Sequence, residues 1–249
     1  MTGALTALGP DGTALALLVL GHVLGDFLFQ TEAMAKDKHR IGPLLAHGGL
    51  VIVAQVLAFV PLVTVKTVPI VVLVGVSHLF VDAVTARFRP RETTSTVMFL
   101  GDQLLHLLFI LVGWSLLDPS TWTVTPVAVV VGGTPSWTAM TTGAVYLSAF
   151  VFVHEGGNAI VRGVLPADGP ESDEDDLEAG SLIGSLERWI VLLLGLVGRW
   201  EAVALVVGVK SIARFEELKK RAFAEYFLVG TLTSVLVAIV VVVLSSLLV

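Results

Sequence analysis

Long apolar runs dominate this 249-residue chain and leave it few ways to fold. Eight runs of roughly 16–25 residues are each about long enough to cross a bilayer as a helix. The runs cover residues 13–31, 44–63, 69–88, 97–117, 139–163, 181–198, 199–214 and 225–248. Mean hydropathy is +0.89. Because backbone polar groups must be paired inside a bilayer, the pattern predicts an all-α integral membrane bundle of about eight transmembrane helices.

Basic residues predict how this bundle is oriented. Lys and Arg cluster in segments 32–43, 87–96 and 214–221, whereas segments 1–12 and 118–138 carry none. Since basic loops stay in the cytoplasm, both termini are expected outside it. No cleavable signal peptide is evident, because the first residues lack a positive segment. The expected location is the inner (cytoplasmic) membrane of a prokaryote, crossed several times.

Three sections follow from this topology. Residues 1–117 form a four-helix half that carries histidine and aspartate. Residues 118–180 hold a re-entrant or extracytoplasmic segment, a fifth helix and an acidic cytoplasmic loop, 168–178. Residues 181–249 form a three-helix membrane segment at the C-terminal end.

Ionisable residues inside the first four runs indicate a functional site. Spacings of four residues place two such side chains on one face of a helix, and ionisable groups at membrane depth usually face the bundle interior. The predicted topology brings all of them into the cytoplasmic leaflet. The residues are His22, Asp26, His47, His78, Asp82, Asp102 and His106.

Imidazole and carboxylate together favour a divalent metal, with Zn preferred and Mn or Fe as alternatives. The chain has no cysteine, which excludes thiolate ligands. All seven residues are candidate ligands for one or two ions. Asp26, Asp82 or Asp102 is also a candidate catalytic general base if it does not bind the metal. A proton relay and a structural polar network are the alternative interpretations of the same residues.

A second group of polar residues is a candidate for binding an anionic substrate. Arginine offers paired donors to phosphate, and the predicted topology places the group at the cytoplasmic side. Mutual ion pairing that holds helices in register is the alternative. The candidate substrate-binding residues are Gln30, Gln103, Arg188, Lys210, Arg214 and Glu225.

Several segments carry a family resemblance. GHVLGDFLFQTEAMAKDK, SHLFVDAVTARF and FLGDQLLHLL together resemble an uncharacterised prokaryotic membrane family, the domain of unknown function thirty-three-oh-seven (DUF3307), and the tail from residue 180 resembles that of many members. The resemblance implies that the seven ligand candidates, with Gln30 and Gln103, match the family's pattern. The set is also similar in style to membrane-bound predicted metal-dependent hydrolases.

These observations favour a metal-dependent enzyme, a hydrolase acting on a lipid or lipid-linked phosphate at the cytoplasmic leaflet. Membrane lipids are the expected partners, and an anionic small molecule is an alternative substrate. The sequence is compatible with a homo-oligomer. Binding to nucleic acid is not expected. The first alternative is a transporter or channel for a divalent cation or protons. The second is a non-catalytic scaffold or sensor that docks through acidic loop 168–178.

Overall fold

A computed structural model describes residues 3–88, 95–118, 136–166 and 174–249, without the side chains of Glu32, Lys36 and 174–179. Within these ranges the chain is helical and has no strand, which confirms the all-α prediction. The ten α-helices of the described ranges are α1 (Ala4–Ala7), α2 (Pro10–Val23), α3 (Glu32–Lys36), α4 (Ile41–Phe59), α5 (Thr67–Phe88), α6 (Thr96–Ser115), α7 (Trp137–Val164), α8 (Glu174–Leu196), α9 (Trp200–Ala213) and α10 (Arg221–Leu248).

Six helical stretches in the described chain are long and apolar enough to cross a membrane. They are Pro10–Leu28, Ile41–Leu62, Thr67–Phe88, Thr96–Ser115, Trp137–Val164 and Arg221–Leu248. The predicted spans 181–198 and 199–214 are helical but are not among the six, and α9 has only 14 residues. The chain is therefore a helical membrane protein with six candidate spans. A count of eight and the orientation of the termini stay predictions.

The first span changes its helical pitch just before the candidate site. Residues Leu24–Leu28 form a π-helical turn after α2, and the Phe29 amide donates to the Leu24 carbonyl at 2.9 Å. This turn holds Asp26. Turns of this kind occur frequently at functional sites, because the extra residue changes the direction of the side chains that follow.

Small residues let the first three spans approach each other closely. A Cβ added to Gly25 would lie 2.8 Å from the Val51 Cα atom, and one added to Gly21 would lie 2.8 Å from that of Gln55. A Cβ on Gly48 would likewise meet the Leu79 side chain of α5. The three spans therefore pack closely at Gly21, Gly25 and Gly48, and α4 packs directly against both α2 and α5.

Helix α6 shows the distribution of polarity expected in lipid. Leu104 and Leu108 are 66% and 54% exposed, whereas Asp102 and His106 on the same helix are 5% and 2% exposed. The apolar face of α6 is outside and its ionisable face is inside. A helix with this arrangement is suited to hydrocarbon surroundings, since charged groups in a membrane face the protein interior.

The described chain forms two compact units. The first comprises residues 1–91, 100–151 and 247–249, and the second comprises residues 92–99 and 152–246. The Gly3 amide donates to the Val249 carbonyl at 3.2 Å, which ties the chain ends together within the first unit. The predicted segment 118–138 lies almost wholly outside the described residues. Acidic loop 168–178 lies partly outside them, and its last residues begin α8.

Candidate metal centre

The seven ionisable residues predicted from the first four spans lie in one buried cluster in the first unit. Each is at most 6% exposed. Each residue lies two to ten positions from one end of its own helix. These are the helix ends that segments 29–40 and 89–95 connect. At 1.5 Å per residue, this places the cluster within about 15 Å of those ends.

Four side-chain atoms in this cluster have the spacing of metal ligands. The His47 Nε2 atom lies 3.1 Å from His78 Nε2, 3.1 Å from Asp82 Oδ2 and 3.3 Å from Asp26 Oδ1. The His78 Nε2 atom lies 3.3 Å from Asp82 Oδ2 and 3.7 Å from Asp26 Oδ1. Tetrahedral zinc with bonds of about 2.0–2.1 Å has ligand atoms about 3.3–3.4 Å apart. These five distances therefore fit one tetrahedral ion.

The two carboxylate oxygens of this group support the same interpretation. Asp26 Oδ1 and Asp82 Oδ2 are buried and have no hydrogen-bond partner among the described residues. Buried carboxylate oxygens usually accept hydrogen bonds or bind a cation, because desolvation without a partner is costly. An ion between them and the two imidazoles removes that cost.

A lysine that was not among the predicted site residues completes one side of the cluster. Lys38 follows α3 and is buried, with its Nζ atom 3.0 Å from Asp82 Oδ1 and 3.5 Å from Asp26 Oδ1. The Gln30 side-chain amide lies between the Asp26 backbone carbonyl and Lys38 Nζ. Its nitrogen donates to that carbonyl at 3.1 Å, and its oxygen accepts from the ammonium group at 3.1 Å. Three oxygens therefore surround the ammonium group.

The charge of Lys38 is maintained by these oxygens. Burial alone would lower the pKa of Lys38, but the negative charges of Asp26 and Asp82 outweigh it and raise the pKa above its ordinary value. Lys38 is therefore a permanent cation beside the group of four ligand atoms. Lys38 lies in a short basic connection, and the sequence there gives no sign that its side chain is buried.

A chain of hydrogen bonds determines which histidine nitrogens carry protons. Asp26 Oδ2 can only accept, so the Gln103 Nε2 group donates to it at 2.8 Å and the Gln103 Oε1 atom faces His22 Nε2 at 3.1 Å. His22 must then donate from Nε2 and accept at Nδ1 from His78 Nδ1, 3.2 Å away. A neutral His78 is left with its lone pair on Nε2, directed into the group of four ligand atoms.

Asp102, His106 and a small cavity lie beside this chain. The His106 Nδ1 atom is 3.7 Å from Asp102 Oδ2, and its ring stacks on that of His78 with centroids 4.0 Å apart. A small cavity is lined by His22, His78, His106 and Gln55 together with Val74, Ser77 and Ile110. Gln55 is 1% exposed, and its Oε1 atom has no hydrogen-bond partner among the described residues. The cavity is therefore lined by polar groups of the cluster on one side and by apolar side chains on the other.

The formal charges of the cluster match one divalent ion. Three carboxylates and the Lys38 ammonium give a charge of −2 when the four imidazoles are neutral. One divalent cation cancels this charge, and an uncompensated charge of that size is costly in a low-dielectric interior. The distances, the oxygens without partners and the charge all fit a bound divalent metal. The cluster could therefore hold such an ion, with His47, His78, Asp26 and Asp82 as its ligands.

The four charged residues predicted to bind substrate lie in the second unit, and each has a partner there. Arg188 is 2% exposed and donates to the Val153 and His154 carbonyls and to the side chains of Asn158, Ser185 and Ser234. Lys210 pairs with Glu187 of α8, while Glu225 pairs with Arg221 of the same helix at 2.8 Å. The contacts of Arg188 and Lys210 agree with the alternative that such charges hold helices in register.

Arg214 and Glu225 are the exposed members of this group. The Arg214 side chain is 49% exposed, and its NH1 group lies 3.4 Å from Glu217 Oε1 in a surface pair. The Glu225 side chain is 64% exposed. A small pocket is lined by Glu187, Arg188 and Lys210 together with Thr231 and Ser234. Of the predicted substrate-binding residues, Gln30 and Gln103 join the metal cluster, and the role of the others stays a prediction.

Comparison with known proteins agrees with the resemblance seen in the sequence. The model of the family described as "Protein of unknown function (DUF3307)" matches residues 14–131, just under half of the chain. The match covers every residue of the metal cluster. Neither the curated proteins nor the solved structures include a significant match to the chain.

Proposed function

We propose that this chain, whose residues 14–131 match a family of unknown function, is a membrane hydrolase that depends on one divalent metal ion. The observation that carries the proposal is the set of five distances of 3.1–3.7 Å among His47, His78, Asp26 and Asp82. Two imidazoles and two carboxylates favour zinc, with Mn or Fe as alternatives. When bound, such an ion acts as a Lewis acid and acidifies a nearby water.

The other cluster residues have distinct proposed tasks. Gln103 and His22 orient His78 through their hydrogen bonds, as partners outside a metal's ligand shell commonly do. Asp26 and Asp82 are occupied as ligands, which leaves Asp102 as the proposed general base. Its neighbour His106 lines the cavity, so a proton taken from water there has a short route to Asp102.

The proposed substrate is a lipid or lipid-linked phosphate reached from the cytoplasmic leaflet. The cluster lies within about 15 Å of the helix ends, a depth at which polar head groups meet acyl chains. The basic segment 32–43 at those ends is suited to attract an anionic head group and supports a cytoplasmic location for the same ends. We retain the eight-span topology and Arg214 as a head-group contact as parts of this proposal.

Metal analysis tests the first part of the proposal. Wild-type protein purified in detergent without chelators should contain about one zinc, manganese or iron ion per chain by mass spectrometry. His47→Ala should lose at least about 90% of it, because breaking a tetrahedral set removes most of the affinity. His154→Ala is a matched control, since His154 pairs with Glu155 in the second unit. Metal-free wild type, or full metal content in His47→Ala, would overturn the assignment.

Phosphate release tests the second part. Vesicles that contain phosphatidic acid or a prenyl diphosphate should release inorganic phosphate when the metal-loaded protein is present. Asp102→Asn should slow release by about 10²–10⁴-fold while the metal stays bound, since a general base contributes that much. No release from either lipid by metal-loaded wild type would contradict the hydrolase.

One observation favours a second candidate, a proton-coupled transporter. His47, His78 and His22 are joined by N···N contacts of 3.1 and 3.2 Å, and His22 continues to Gln103 at 3.1 Å. A row of hydrogen-bonded imidazoles can pass protons. Sealed vesicles with a pH-sensitive or zinc-sensitive dye distinguish the two functions. Zinc or proton entry that His22→Ala abolishes, without phosphate release, would favour transport.

A further inference from the structure

We infer that Lys38 occupies the place of a second cation and thereby restricts the centre to one metal ion. The inference rests on the proposed metal site and specifies how many ions that site accepts. It starts from the position of the Lys38 ammonium. This group lies next to the proposed ion site and shares two carboxylates with it, Asp26 through Oδ1 and Asp82 through Oδ1.

Asp82 is placed to bridge two cations. Its Oδ2 atom faces His47 and His78, at 3.1 and 3.3 Å, while its Oδ1 atom accepts from Lys38 at 3.0 Å. Carboxylates that divide their two oxygens in this manner bridge the ions of two-metal centres, which lie about 3.5–4 Å apart. In this chain one of the two positions is filled by an ammonium group that is part of the protein.

The surroundings of the ammonium group resemble those of a cation that prefers oxygen. Asp82 Oδ1, Asp26 Oδ1 and the Gln30 amide oxygen lie 3.0, 3.5 and 3.1 Å from Lys38 Nζ. Three oxygens without an imidazole suit Mn²⁺ or Mg²⁺ better than zinc. The position would therefore differ in metal preference from the site with two histidines.

Charge explains why wild type excludes a second ion. The cluster has a formal charge of −2, so one divalent ion neutralises it, and a second would leave +2 in a buried site. That excess is unfavourable at membrane depth. Without the Lys38 charge the cluster has a formal charge of −3, and one bound ion leaves −1. Two oxygens, Asp82 Oδ1 and that of the Gln30 amide, are then vacant, and Asp26 Oδ1 is shared with the first ion. A second ion then becomes favourable.

The test measures manganese uptake by zinc-loaded protein of full length in detergent. Zinc-loaded wild type should take up less than about 0.1 Mn²⁺ per chain by electron paramagnetic resonance, and zinc-loaded Lys38→Ala should take up about one. Lys38→Met removes the charge but keeps the length of the side chain, so its uptake should lie between that of wild type and that of Lys38→Ala. Lys38→Ser is a second opening variant that should behave like Lys38→Ala.

The outcomes separate this inference from the proposed function. About one Mn²⁺ on zinc-loaded wild type would overturn it directly, whether or not any variant folds. Equal and negligible uptake by wild type, Lys38→Ala and Lys38→Ser, with zinc retained, would also overturn it while leaving the zinc site intact. Loss of zinc from wild type is a different result and would overturn the proposed function.

Discussion

Replacing Gln103 by leucine should weaken metal binding although Gln103 is not one of the four proposed ligands. Its amide donates to Asp26 Oδ2 at 2.8 Å and accepts from His22 Nε2 at 3.1 Å. Both bonds disappear in Gln103→Leu, so His22 no longer has a fixed tautomer and neither does His78. Removal of such orienting partners costs about 10–100-fold in metal affinity, or about 1.4–2.8 kcal/mol.

The assay is zinc affinity by competition with a chromophoric chelator in detergent. The matched control is Gln55→Leu, which removes a buried amide that donates to the Leu18 carbonyl at 3.1 Å and has no bond to the cluster. This control should lower the temperature of unfolding while its zinc affinity stays within about threefold of wild type. Unchanged zinc affinity in Gln103→Leu would refute the role of the hydrogen-bond chain. Equal losses in both variants would attribute the effect to general destabilisation.

Two further predictions concern the packing of the helices. Arg188→Met should lower the free energy of unfolding by about 2–4 kcal/mol, because several buried hydrogen bonds to the charged guanidinium are lost. Thermal unfolding measures this loss, and mass spectrometry should show an unchanged metal content. Loss of metal would contradict a purely structural role. Gly25→Ala should lower the free energy of unfolding by about 1–3 kcal/mol, because its Cβ would lie 2.8 Å from Val51 Cα. Gly49→Ala is the control, since its Cβ would meet nothing within 4 Å and should leave the protein as stable or more stable. Equal unfolding temperatures of the two variants would show that the first span and α4 can separate freely.

The cluster could be predicted because the spacing of its residues in the sequence places pairs of them on one face of a helix. His78 with Asp82, and Asp102 with His106, are four residues apart, and the structure keeps both pairs together at 3.3 and 3.7 Å. Membrane burial then requires these groups to face inward. The apolar runs predicted the all-helical class for a similar reason. Lipid permits few alternatives to a helix, so length and hydropathy are sufficient.

Other features depend on tertiary contacts that the sequence does not show. His22 and Asp26 are also four residues apart and both contact Gln103. Asp26, however, lies in the π-helical turn and meets His47, whereas His22 meets His78. The sequence around Leu24–Leu28 gives no sign that the helix forms a π-helical turn. Arg188 was predicted to bind substrate because its hydrogen-bond acceptors cannot be identified from the sequence. They are backbone carbonyls and serine hydroxyl groups, which occur throughout the chain.

The burial of Lys38 has a consequence for how the protein is made. In the proposed topology this residue belongs, during synthesis, to a basic connection between the first two spans, where its charge would help to keep that connection in the cytoplasm. Asp82 arrives only with the third span. The same ammonium would then serve first as a topological signal for insertion and later as an internal counterion, and the cluster would close over it only after three helices have entered the bilayer.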